Sequence, residues 1–446
     1  MPFIPLKTEP FPHQSQFFDD FLFKLRNNFN ILLAAEMGLG KTRMALSTIQ
    51  DDQNTLIIIP PSLISTWIQQ IHLHTHLSTQ NIFLYHGSKR FTKLPDIKPL
   101  IVITTFNTIA NDLFFNPNTP HNIFSLHKDF FQHIIVDEAH EIRNVNTKKH
   151  SAAINLMNSN PNAFKLAMTG TPIMNKLQDI VSISILIRNF KSPTSFDFTH
   201  FKNNNTIILK KEDNLKLPKK NIIKHELPTD ILIDTVTSNY QHNNSDIPLT
   251  QLLRLRQISF HPFLVLNKNK ESSPPPFLPH SPKTEKILDI IKQIPKNDKV
   301  IIFSEFVSVL NLLHFFIQRD LKLNTAWFTS KNKQLDSFLN DPNVPILLAS
   351  IKCASQGLNL TVANHIIFTE FNFNPQVNNQ AIDRIHRPGQ YKTSFIHFFY
   401  HPNVDIFNIK LQNFKKDIAE SLLTDKAPTR EFNERPKLSS FLKPTI

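Results

Sequence analysis

Short runs of consecutive apolar residues recur along this chain. They are separated by stretches in which apolar positions return every three or four residues. The first series, from about residue 28 to 190, predicts strands at Ile31–Ala35, Thr55–Ile59, Leu100–Thr104, His133–Asp137 and Lys165–Met168. The second, from about 283 to 422, predicts strands at Lys299–Phe303, Pro345–Ala349, His365–Phe368 and Ser394–Phe399. Uninterrupted apolar strands alternating with helical patterns suit parallel sheets covered on both faces. The expected fold class is therefore α/β, with two tandem parallel-sheet lobes.

The pattern also sets expected boundaries. Lobe one is expected over 1–190 and lobe two over 283–425. Between them, 191–282 carries Asn, Lys and Pro clusters and reads as a mostly helical protrusion with a linker. Ser272-Ser-Pro-Pro-Pro-Phe-Leu-Pro279 reads as a polyproline spacer. The charged, Pro-containing tail 426–446 is expected to be flexible.

Composition narrows the partners. Formal net charge is +13, which points to a polyanion. A single cysteine, Cys353, excludes disulfides within the chain and fits a reducing compartment. No apolar run reaches the roughly 18 residues of a membrane span, and no signal pattern opens the chain. An intracellular protein without a membrane partner is expected. Glycine is scarce, 6 in 446, so each one retained points to backbone geometry or close approach of a ligand. All six, Gly38, Gly40, Gly87, Gly170, Gly357 and Gly389, fall inside motifs.

Strand Ile31–Ala35 runs into Ala35-Glu-Met-Gly-Leu-Gly40-Lys41-Thr42 and then a helical pattern, the context of a phosphate-binding P-loop. Backbone N–H groups of Gly38, Leu39 and Gly40 would wrap the phosphates of ATP. Lys41 would reach the β- and γ-phosphates, and the Thr42 hydroxyl would hold Mg2+. Ala35 stands where such loops usually begin with glycine, which is tolerable if the position needs no positive φ. Strand His133–Val136 ends in Asp137-Glu138-Ala-His140. Two carboxylates ending a buried strand are costly unless something binds them. Asp137 would coordinate Mg2+, and Glu138 would orient the attacking water.

Asp137-Glu-Ala-His140, the following Glu-Ile-Arg-Asn144 and Glu36-Met-Gly-Leu-Gly-Lys-Thr42 resemble the Swi/Snf-type remodelling ATPases of helicase superfamily two. The resemblance covers roughly residues 10–415 and implies two RecA-like lobes with a nucleotide cleft between them. It implies a DNA-dependent ATPase that translocates on double-stranded DNA. A strand-separating DNA or RNA helicase and a catalytically weak DNA-binding scaffold are the rival readings. Transcription, replication or repair would be the setting, in a nucleus or a viral factory.

The remaining motifs follow the family order. Pro12-His-Gln14 resembles the adenine-reading element, with Gln14 bonding the base. Ile59-Pro-Pro-Ser-Leu-Ile-Ser-Thr-Trp67, Tyr85-His-Gly87 and Thr104-Thr-Phe106 resemble track-side motifs whose hydroxyls suit phosphate contacts; Trp67 itself reads as core. Met168-Thr-Gly170-Thr-Pro172 resembles the motif linking nucleotide to lobe closure, with a hydroxyl bonding the acid pair. Leu209-Lys-Lys-Glu-Asp213 with Leu217-Pro-Lys-Lys220 resembles the family's protrusion after lobe one, with Lys210 and Lys211 where the family commonly has Arg. Leu253-Arg-Leu-Arg-Gln-Ile-Ser-Phe-His-Pro262 resembles a Swi/Snf hallmark whose His261 reads as structural. In lobe two, Glu305 stands where the family has Gln, and Ala354 and Ser355 replace two glycines in the motif that carries Gly357. The resemblance gives nucleotide contacts to Gly357 and Gln380. Arg384 and Arg387 are three apart, so on a helix both would project from one face toward the γ-phosphate.

Overall fold

The computed structural model describes residues 2–87, 94–114, 129–170, 178–188, 197–228, 230–243, 248–266, 273–352, 358–370, 372, 375–401 and 405. Two compact units divide the chain, Met1–Lys216 and Leu217–Ile446.

The first unit is built on β1 (Ile31–Ala35), β2 (Thr55–Ile59), β3 (Ile82–Leu84), β4 (Ile101–Thr105), β5 (His133–Val136), β6 (Phe164–Thr169) and β7 (Thr206–Leu209). They form one sheet in the order β3-β4-β2-β5-β6-β1-β7, with every pairing parallel. Parallel neighbours need crossovers, and helices supply them. Helix α1 (Pro12–Arg26) precedes the sheet, α2 (Lys41–Ser47) follows β1, and α3 (Ile64–His74) follows β2. Phe17 and Phe21, one turn apart on α1, and Trp67 and Ile71 of α3 are fully buried in one apolar cluster that also holds the sheet residues Leu33 and Leu166.

The second unit is built on β8 (Lys220–Glu226), β9 (Val300–Ser304), β10 (Thr325–Phe328), β11 (Ile346–Ser350), β12 (His365–Phe368) and β13 (Ser394–Tyr400). Their order is β10-β11-β9-β12-β13-β8, again parallel throughout. Each unit is thus a parallel-sheet α/β lobe, as the apolar pattern predicted, and the pair fits the RecA-like lobes that the resemblance implies. Among the described residues, no helix is long and apolar enough to cross a membrane.

All nine strands expected from the apolar runs are present, with ends displaced by at most one residue. Four more occur among the described residues, β3, β7, β8 and β10, and these are the four sheet edges. The described residues of segment 191–282 are mostly helical, with helices Phe198–Asn205, Ile231–Asn243 and Pro248–Phe260, but they also feed both sheets. β7 pairs with β1 in the first unit, and β8 pairs with β13 in the second.

The Pro-rich stretch departs from the expected spacer. Residues 275–278 close a turn through Leu278 N–H to the Pro275 carbonyl, 3.0 Å. Arg319 Nη1 donates to the carbonyls of Pro276 (3.2 Å) and Leu278 (2.8 Å), and His261 Nε2 lies 2.9 Å from the Pro279 carbonyl. Prolines cannot donate, but their carbonyls still accept, so a guanidinium and an imidazole pin the segment to the second unit. His261 is structural, as expected.

Candidate nucleotide site

The loop between β1 and α2 is shaped by Gly38 and Gly40, whose φ angles are 90° and 79°. Gly40 is left-handed at the N-cap of α2. Ala35 closes β1 and is absent from the positive-φ residues, so the missing first glycine costs the loop nothing in backbone strain. Lys41 Nζ donates to the Ala35 carbonyl at 2.9 Å, spanning the loop mouth. Thr42 follows on the first turn of α2. Leu39 contributes through its backbone alone. Its side chain is in the core, and its carbonyl lies 2.9 Å from His13 Nε2 and accepts from Gln14 Nε2 at 3.1 Å.

Gln14 is therefore built into the floor of the loop. It is buried, and its Oε1 accepts from Phe11 N–H at 3.1 Å. Gly170, at the end of β6, also belongs to this wall: a Cβ there would lie 3.2 Å from Met37 Cγ and 3.6 Å from Lys41 Nζ. The P-loop is tied to the strand-edge segment as well, because Glu36 Oε2 accepts from Lys211 N–H at 2.7 Å.

Asp137 and Glu138 stand at the end of β5, both buried. Asp137 Oδ2 accepts from Trp67 Nε1 at 2.9 Å, and Oδ1 accepts from Glu138 N–H at 2.9 Å. Burial, reinforced by the neighbouring Glu138 charge, pushes the Asp137 carboxyl up to about 6; Trp67, Lys41 and the Glu138 amide oppose it. Glu138 adopts a left-handed backbone, φ 49°, which turns its side chain out of the strand direction. His140 Nδ1 lies 3.2 Å from Glu138 Oε2 and 3.2 Å from Thr169 Oγ1. The hydroxyl expected to bond the acid pair thus meets it through His140.

One track-side expectation needs correction. Thr104 and Thr105 are fully buried, and Thr105 Oγ1 is 2.9 Å from Thr108 Oγ1. They end a strand covered on both faces, so neither hydroxyl faces solvent. Ser62, in the turn before α3, and Ser65, at the start of α3, are exposed.

In the second unit the arginine pair does not lie on a helix. Helix Pro375–Ile382 ends before it; Arg384 occupies a turn and Arg387 a bend. Pro388 disfavours helical backbone at Arg387, and Gly389 takes φ 98°. The bonds shorten to Arg384 N–H with Ala381 O (3.2 Å) and Ile385 N–H with Ile382 O (3.1 Å) as the helix gives out. Gln390 then locks the turn, its amide donating to the Ala363 carbonyl at 2.8 Å. Arg384 is buried. Arg387 is half-buried, its pKa lowered by burial against the pull of Asp383, and its Nε has no hydrogen-bond partner among the described residues. Gln380 lies on the preceding helix, half-buried, while Gly357, with Ala354 and Ser355, lies outside the described residues.

Sequence reasoning missed a buried polar cluster in this unit. Arg256 Nη1 pairs with Glu305 Oε2 at 2.6 Å and covers the Phe306 ring. Glu370, fully buried just beyond β12, accepts from Ser304 Oγ at 3.0 Å and from Thr369 and the Glu305 amide. Burial raises its pKa, with Arg256 opposing. The Glu305 departure thus has a partner in Arg256. Glu370 could have been found by the logic applied to Asp137, since it too ends a buried apolar strand.

A lysine in a glycine loop after β1, an acid pair at the end of β5 in the same sheet and an arginine turn in a second parallel-sheet unit define a P-loop ATP hydrolase. Residues 13–263 match the SNF2-related domain and residues 282–389 the helicase conserved C-terminal domain. The chain belongs to the SNF2-related family. It is 28 % identical to the "Probable global transactivator" of Orgyia pseudotsugata multicapsid polyhedrosis virus, over 82 % of this chain and 80 % of that protein. It is 28 % identical to an uncharacterized ATP-dependent helicase of Mycoplasma genitalium, over 90 % of this chain but 41 % of the relative. Chromodomain-helicase-DNA-binding protein 8 of Xenopus tropicalis is 27 % identical over 83 % of this chain and 20 % of its own length. The chain thus spans most of the viral relative and less than half of the other two. It is an ATP-dependent helicase-type core.

Proposed function

We propose that the protein is a DNA-dependent ATPase that translocates on double-stranded DNA and remodels or displaces bound proteins. The observation that carries this reading is the division of labour between the units. Lys41, Thr42, Asp137 and Glu138 lie in one, and Arg384 and Arg387 in the other. Hydrolysis that needs both sets couples chemistry to relative movement of two bodies. The net charge of +13 favours a polyanionic track, and one similar protein carries DNA binding in its name.

The residues present fit Mg2+. Two carboxylates are buried side by side, and Asp137 is held well above its ordinary carboxylate value, the signature of a pair that wants a cation. Thr42 and Asp137 would hold the ion, which would neutralise charge between the phosphates. Lys41 exchanges its bond to Ala35 for the β- and γ-phosphates. Glu138, held by His140, orients the attacking water. Arg387, whose Nε lacks a partner, stabilises charge on the γ-phosphate together with Arg384. Gln14, Gly38, Leu39, Gly40, Gly357 and Gln380 complete the nucleotide contacts, with Gln14 also bracing the loop from below. Exposed Ser62 and Ser65 contact the track backbone.

ATP hydrolysis measured with duplex DNA, single strands and RNA tests the reading. Duplex DNA should stimulate most, and Lys41→Ala and Glu138→Gln should abolish the stimulated rate. Maximal stimulation by RNA would replace it with an RNA-directed helicase, and absent hydrolysis with a DNA-binding scaffold.

A further inference from the structure

We infer that Trp67 is a positioning residue that ties the track-facing end of α3 to the Asp137 carboxylate, so that track contact and metal binding act on one another. The inference rests on the proposed roles of Asp137 and of the Ser62–Ser65 turn. Its own support is geometric. Trp67 Nε1 donates to Asp137 Oδ2 at 2.9 Å, and Trp67 is only 1 % exposed. Among the described residues no other side chain donates to this carboxylate. The Glu138 amide occupies the second oxygen at 2.9 Å, so the carboxylate plane is fixed by one donor on each side.

The route from Trp67 to the surface is short and stiff. β2 and β5 are parallel neighbours, with Ile58 opposite Val136, and Asp137 N–H donates to the Ile58 carbonyl at 2.9 Å. After β2 the chain passes Pro60 and the single turn Pro61–Leu63, then enters α3 at Ile64. Two prolines restrict that passage. Ser65 and Trp67 are two residues apart on α3, so they point to opposite sides of it. Ser65 is exposed and Trp67 is buried. A load on the hydroxyl face therefore moves the indole against Asp137, since the helix turns as one body. Trp67 looks like a core residue in the sequence, yet a core position needs only a ring, and phenylalanine would supply one. The N–H is what the carboxylate uses.

The test compares the wild-type chain with Trp67→Phe, with benzothienylalanine at position 67, and with Ile71→Ala. The benzothienyl side chain replaces the indole N–H by sulfur at nearly constant shape. Ile71→Ala loosens the same helix, whose Ile71 is fully buried, without touching Asp137. Binding of a fluorescent ATP analogue is titrated with Mg2+, and duplex affinity and duplex-stimulated kcat are measured beside it. Both N–H-less chains should need about tenfold more Mg2+ for half-maximal nucleotide binding, the change expected when a hydrogen bond to a charged group is lost. Their duplex stimulation should fall while duplex affinity is kept. Ile71→Ala should lower the melting temperature and leave the Mg2+ requirement unchanged. If the benzothienyl chain titrates like wild type, or Ile71→Ala shifts the Mg2+ requirement equally, the inference is overturned whatever Trp67→Phe does. Failure of the parent reading is separate: the wild-type chain itself would show no duplex stimulation.

Discussion

A side chain at Gly40 would collide with Gln14: a Cβ there falls 2.4 Å from Gln14 Nε2. The two residues interlock, because the same amide donates to the Leu39 carbonyl. Gly40→Ala should therefore lose nucleotide binding and destabilise the chain. The left-handed backbone alone costs about 1–2 kcal/mol, and displacement of Gln14 adds to it. Gln14→Ala in the same chain removes the collision but not the strained φ of 79°. Thermal melting of the two single variants and the double variant checks this. The double variant should be less destabilised than the singles summed, and strict additivity would contradict the interlock.

Arg387→Ala should bind ATP as the wild type does and lose roughly 10³-fold in stimulated turnover, the lower end for an arginine that stabilises a transferring phosphoryl group. Arg387→Lys should recover little of it, since an ammonium cannot reproduce the planar fork. Single-turnover hydrolysis with saturating ATP separates this from a binding defect. Wild-type turnover in either variant would remove Arg387 from the chemistry.

Lys283 and Asp405 form a fully buried pair in the second unit, 3.5 Å apart, with Ser259 Oγ and the His401 amide also donating to Asp405. Lys283→Met leaves a buried carboxylate without its countercharge and should cost about 3–5 kcal/mol. Adding Asp405→Leu should recover most of that loss. Urea unfolding of the three chains decides. A single variant as stable as wild type would mean the pair contributes nothing.

Three imidazoles cross the second sheet: His225 on β8, His397 on β13 and His365 on β12. His225 Nε2 is 3.0 Å from His397 Nδ1, and the His397 and His365 rings stack at 6.1 Å. Burial holds His397 at about 4, with His225 and His365 adding, against an ordinary value of 6.5. Burial also lowers His225, with Lys286 adding, and lowers His365, where Asp298 opposes and Lys392 adds. A base held below its unfolded value stays neutral in the fold. Its stabilising contribution is complete above about pH 6.5 and is lost as pH falls toward 4. The urea midpoint should decline across that window, and less steeply in His397→Phe, which keeps a ring and cannot titrate. Equal slopes in the two chains would contradict the assignment.

Much of this protein was written locally. A strand covered on both faces is apolar at most positions, so the nine interior strands announce themselves as mainly apolar runs. The P-loop and the acid pair are equally local: a few adjacent residues fix backbone shape and charge, and the scarce glycines mark where shape matters. The edge strands escaped for the converse reason. β8 alternates exposed and half-buried residues in a largely polar segment, and β3, β7 and β10 are only three or four residues long, so their brief apolar runs do not stand out. Spacing also misled at Arg384 and Arg387, because the helix that a three-residue interval assumes ends at Ile382, before either of them.

The sequence by itself determined the interior strands and the P-loop, because strand burial and the backbone shape of a phosphate loop depend on neighbours along the chain. Only the tertiary structure decided how those residues are held. Trp67 and Asp137 are 70 positions apart, and so are brought together by the pairing of β2 with β5, which no local pattern encodes. Arg256, Glu305 and Glu370 meet for the same reason. A hydrogen bond between distant residues depends on sheet order and register, and those are settled by packing the whole lobe.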